Sequence, residues 1–97
     1  MGKIVCIARF NTLDGKYIEL IDSLKRIQKK TLLEEGCLKY TIHRSVGNLN
    51  NIMVYEKFTG MEEFKFHQET DYIVDLKSNL PLMVDIDNVS IELYEDL

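Results

Sequence analysis

The stretch Tyr55–Tyr72, YEKFTGMEEFKFHQETDY, decides how the chain reads. It opens as the end of a strand, Ile52 to Thr59, and breaks at Gly60. It restarts as a helix that runs from Met61 to about Glu69. Met61, Phe64 and His67 fall three residues apart in that helix, so the imidazole shares a stripe with two large apolar side chains and points inward. An inward histidine just beyond a strand ending Tyr-Glu-Lys-Phe is the chain's best candidate for chemistry.

Upstream, Cys37 to Val46 alternates as a strand, with Leu38, Tyr40 and Ile42 on one side and Lys39, Thr41 and His43 on the other. The turn-rich Gly47–Asn51 joins it to Ile52 as a hairpin. Earlier still, Tyr17, Leu20, Ile21, Leu24 and Ile27 recur at helical spacing behind Asp14, a candidate N-cap. Lys25, Arg26, Lys29 and Lys30 crowd the end of that helix, where cations offset its dipole. Lys3 to Phe10 is an apolar strand. Downstream, Thr70 or Asp71 caps a second helical piece, Asp71 to Asn79, which Pro81 discourages from continuing. Val89 to Tyr94 supplies the last strand. The order β-α-β-β-α-β is the ferredoxin-like split, an α+β fold in a single domain over residues 1–97.

Two helices cover only one face of a four-stranded sheet, yet the strands are apolar on both. Val5 and Ile7 oppose Ile4, Cys6 and Phe10; Met53 and Tyr55 oppose Ile52, Val54 and Phe58. A bare apolar face marks an interface. Two such faces packed together would make a homodimer with a closed, barrel-like core.

Composition removes several function classes. A net charge of −4 argues against nucleic acid or an anionic membrane as partner. No apolar run approaches the length of a membrane span. Met-Gly-Lys leads directly into a strand without a signal-peptide pattern, so the expected location is cytoplasmic. Cys6 and Cys37 are too few for a disulfide scaffold and read as buried free thiols. His43 and His67 are far apart, with no clustered ligand set around either, and no phosphate loop or nucleophile elbow is present.

Four short motifs occur in order: Gly15-Lys16, Glu35-Gly36-Cys37-Leu38-Lys39-Tyr40, Tyr55-Glu56-Lys57-Phe58 and Phe66-His67-Gln68-Glu69-Thr70. In that order and spacing the chain resembles the antibiotic biosynthesis monooxygenase superfamily. Its nearest branch looks like the small bacterial quinol monooxygenases and the related isomerase of phosphorylated autoinducer-2. The resemblance implies a dimeric α+β barrel, a pocket between each sheet and its own helices, and oxygenation of quinols without metal, flavin or haem. The chain departs from the pattern in two places. Phe58 stands where the family often has tryptophan, and Asp71-Tyr72 replaces a frequent second histidine. The haem-degrading branch needs an axial histidine where this chain reads Ile73-Val74-Asp75-Leu76-Lys77.

Oxygenation without a cofactor requires a base for a hydroxyarene and a dry pocket for the anion. His67 is the expected general base, and Glu56 would orient it. Tyr40, Tyr55 and Tyr72 would donate hydrogen bonds to a quinone-like oxygen, and Phe58, Phe64 and Phe66 would wall the pocket. Each also has a plain structural reading: a core histidine, an edge or interface ion pair of Glu56 with Lys57 or an arginine, or aromatic packing. Arg9 and Arg44 would serve an anionic substrate. Three functions stay open: a monooxygenase of quinols or hydroxylated aromatics, an isomerase of a small phosphorylated or dicarbonyl metabolite, and a non-catalytic ligand-binding dimer.

Overall fold

Strands β1 (Ile4–Asn11), β2 (Cys37–Arg44), β3 (Asn51–Phe58) and β4 (Ser90–Glu95) form one antiparallel sheet in the order β2-β3-β1-β4. The computed structural model describes residues 2–97. Helices α1 (Tyr17–Thr31), α2 (Met61–Gln68) and α3 (Asp71–Asn79) pack on one face of the sheet, and short 3-10 turns at Leu80–Leu82 and Ile86–Asn88 lead into β4. This is the ferredoxin-like α+β fold, with the second helical layer split in two at Glu69–Thr70.

The register assigns the faces. Ile4, Cys6, Ala8 and Phe10 of β1 share a side with Ile52, Val54, Glu56 and Phe58 of β3, under the helices. Leu20 and Leu24 of α1 are fully enclosed against Ile52 and Val54, and each such side chain contributes about 1.5–3 kcal/mol through burial. Phe58 and Phe64 meet edge-to-face at 5.6 Å and anchor α2.

The opposite face carries no helix. Val5, Ile7, Met53 and Tyr55 form its centre, and ion pairs Arg9–Glu92 and Lys57–Asp96 (2.7 Å) lie toward β4.

Three local expectations change. Asp14 does not cap α1: the chain turns through Gly15 at φ 76°, and Lys16 occupies the N-cap without a side-chain bond. The paired strand stops at Arg44 rather than Val46, because Ser45 already closes the hairpin onto Asn51. A bulge between Cys37 and Lys39 throws Leu38 out of the alternation and leaves it 44% exposed, while Tyr40 and Ile42 keep the helix side.

Gly36 is required by proximity. A Cβ there would lie 2.4 Å from Cβ and 2.2 Å from Cγ of Glu63, near the root of a side chain fixed by α2. Gly36→Ala should therefore push α2 off the β2 entry and cost about 1–3 kcal/mol in a urea melt. An unchanged midpoint would show that α2 is loosely seated.

Candidate active site

His67 ends the apolar stripe of α2 and is 1% exposed. Its ring is surrounded by aromatics: Phe58 at 5.0 Å, Tyr40 at 6.2 Å and Tyr72 at 6.3 Å between centroids. Two carboxylates flank it. Nδ1 donates to Oε2 of Glu34 at 2.8 Å, and Nε2 faces Oε1 of Glu56 at 3.2 Å. The second contact is one of charge rather than an aligned hydrogen bond, since Oε1 of Glu56 has no well-oriented donor. The Tyr72 hydroxyl donates to the same Oε2 of Glu34. Tyr72, Glu34, His67 and Glu56 thus form a continuous polar line through an otherwise apolar layer.

Carboxylates accept and do not donate, so Nδ1 of His67 carries the hydrogen it gives Glu34, and the Glu56 carboxylate beside Nε2 favours the imidazolium. Burial works against that charge, but the carboxylates of Glu56 and Glu34 outweigh it, and the His67 pKa lies above its ordinary value of 6.5. The imidazole expected as a base thus lies between two acids that favour its charged form. Burial and the Glu34 acceptor push the Tyr72 hydroxyl up to about 12. Burial, with neighbouring Glu56, also raises the Tyr40 hydroxyl. Both phenols stay protonated donors. The free thiols are inert as well, with burial raising Cys6 to about 12 and Cys37 to about 11.

The charge state predicts how stability follows pH. A folded-state pKa above the unfolded value contributes stability that is fully present below about pH 6.5 and is lost as pH rises through the folded value. The urea midpoint should fall between pH 6 and pH 9. His67→Gln should lose that dependence, and a wild-type midpoint rising over this interval would contradict an imidazolium.

Glu56 and His67 line a narrow cavity of about 50 Å³ between sheet and helices. Cys6, Phe10, Val54 and Ile73 supply apolar wall, Tyr40 a hydroxyl, and the exposed Lys77 and Ile91 mark the edge between α3 and β4. Among the described residues, no three metal-ligating side chains converge.

The sequence-based candidates divide. His67, Glu56, Tyr40, Phe58, Phe64 and Tyr72 lie on the helix side around the imidazole. Tyr55 does not: it alternates with Glu56 on β3, pairs with Ile7 and Thr41, and points to the open face. Phe66 is 62% exposed on the outer side of α2 and walls nothing around His67. Arg9 is held by Glu92 on the open face, and Arg44 sits over the Tyr17 ring. Glu56 pairs with His67, and Lys57 turns away to Asp96. The missed residue is Glu34. It sits in the turn after α1, and a neighbouring acid of the same type, Glu35, left the pattern silent on which one turns inward.

The model of the family described as antibiotic biosynthesis monooxygenase matches residues 3–77. The chain belongs to that family. The fold of this monooxygenase-family chain recurs in solved structures. A Shewanella oneidensis protein is 28% identical with a TM-score of 0.92, over 98% of this chain and 91% of that one. A conserved Methanosarcina mazei protein is 22% identical with a TM-score of 0.91, over 100% and 95%. A Nitrosomonas europaea protein that provisionally carries the family's name is 15% identical with a TM-score of 0.92, over 100% and 93%. No curated protein matches the sequence.

Proposed function

We propose that this family member is a cofactor-independent monooxygenase that oxidises a quinol or another hydroxylated aromatic with O2, working as a homodimer. One observation carries the reading. The buried Oε1 of Glu56 lacks an aligned donor, and Glu56 and His67 line a cavity whose other walls are mainly apolar and aromatic side chains. A hydroxyarene entering there meets a proton acceptor in a dry setting. Transfer of the substrate proton to Glu56 moves the negative charge onto the substrate oxygen, beside His67. Tyr40 supplies a hydrogen bond to the developing oxyanion.

The resulting arenolate is electron-rich enough to reduce O2. One oxygen atom becomes a ring carbonyl at a former C–H position, and the hydroxyl becomes the second carbonyl. The other oxygen atom leaves as water with the two displaced hydrogens. The cavity is far below the roughly 300 Å³ of an ordinary ligand pocket, so substrate entry requires it to widen.

Oxygen consumption by metal-free protein across a panel of quinols and polyphenols tests the reading. Uptake proportional to protein and abolished in Glu56→Gln supports it, and no uptake with any member contradicts it. The small cavity favours one second reading, a non-catalytic binder of the same fold, which predicts ligand binding without uptake. An isomerase of a phosphorylated metabolite finds less support, because neither Arg9 nor Arg44 lines the cavity and its cation, Lys77, stands at the exposed edge away from the solvent-shielded walls.

The dimer follows from the open sheet face. Stable interfaces of this kind commonly bury about 2,000 Å² or more. Sedimentation at micromolar concentration should give a dimer, and Ile7→Lys should release monomer. A wild-type monomer would leave the apolar face without a partner.

A further inference from the structure

We propose that the surface cleft between the turn after α1 and helix α2 binds a small amphipathic amine, its ammonium held by Glu34 and its apolar body by Leu33 and Phe66. This cleft is distinct from the cavity beside Glu56 but shares Glu34 with the His67 pair, and the proposal does not depend on the substrate assigned to that cavity.

The cleft measures about 580 Å³, within the roughly 300–1,000 Å³ of small-molecule sites. Its charge is one-sided. Glu34, Glu35, Glu62 and Glu63 line it against the single cation Lys30. Acids on a surface are ordinarily solvated, but Glu34 is not a surface acid. Its side chain is 6% exposed, and although Oε2 accepts from His67 and Tyr72, Oε1 is buried without any partner. A buried acceptor left unpaired is costly, and because Glu34 lines the cleft, a small shift of its carboxylate toward an N–H donor there would satisfy it.

The chemistry of the donor is constrained. No set of three metal-ligating groups converges among the described residues, so the site suits one N–H-bearing cation rather than a metal ion. Leu33 and Phe66 border the cleft at 86% and 62% exposure, an apolar surface with nothing packed on it. Lys30 Nζ lies 5.7 Å from the centroid of the Tyr72 ring, which shows that this aromatic wall accommodates an ammonium. A short aromatic or aliphatic primary amine meets all three features.

Phenethylamine, titrated into the full chain and followed by amide and side-chain NMR shifts, is the direct probe, with 2-phenylethanol as its neutral counterpart. The amine should saturate shifts at residues 33–36, 62–66 and 72, and the alcohol should bind at least about tenfold more weakly, the difference expected for a charge-assisted hydrogen bond. Equal binding of the two would overturn the proposal, as would absence of saturable shifts with the amine. Glu34→Gln should erase the preference for amine. Because that change also touches His67, Phe66→Ala and the pair Glu62→Gln, Glu63→Gln provide tests at the rim. Phe66→Ala should weaken amine and alcohol alike, and the acid pair should weaken the amine alone. Amine affinity unchanged in both rim variants would likewise overturn the proposal.

Discussion

Replacing His67 by alanine should destabilise the fold by about 3–5 kcal/mol, because it strips the shared cation from two buried carboxylates. Glu34 and Glu56 would then face each other across a cavity at low dielectric, with side chains 6% and 8% exposed. Adding Glu34→Gln should recover part of the loss, and a double-mutant cycle would read that coupling. Activity per folded molecule should also fall by about 10²-fold or more, since the proton acceptor loses its charge balance. A core histidine with no chemical role predicts otherwise: earlier melting with normal turnover once folded. Melting and turnover measured on one preparation separate the two.

Glu56→Gln should have the larger catalytic effect and the smaller structural one. The amide keeps the shape of the side chain but cannot take up a proton, so turnover should drop by about 10²–10⁴-fold. The fold should persist, because Glu34 still pairs with His67 at 2.8 Å. Removal of one carboxylate should lower the His67 pKa toward its ordinary value, since Glu56 is one of the two groups that raise it. Turnover within a few-fold of wild type would remove Glu56 from the chemistry and leave the polar line structural.

Much of this was legible in the sequence, for identifiable reasons. The three-residue spacing of Met61, Phe64 and His67 buried the imidazole, because a helix places such positions on one face. The alternation in β3 put Glu56 and Phe58 together under the helices, but it also sent Tyr55 to the other side, which the grouping of Tyr55 with His67 overlooked. Phe66 followed the same rule: one residue before His67, it lies about 100° around the helix and faces solvent. Glu34 was not legible, because the turn that aims it inward has no period, and its contact with His67 spans 33 positions. The protonation of His67 was lost with it. Glu56 alone left the balance between burial and attraction open, and Glu34 adds to the attraction.

Titration of His67 by NMR of its ring nitrogens tests the central claim most directly. Two protonated nitrogens are expected at pH 7, with a midpoint above 6.5 in the wild type and a lower midpoint in both Glu34→Gln and Glu56→Gln. A neutral ring at pH 7, with one bare nitrogen facing Glu56, would contradict it.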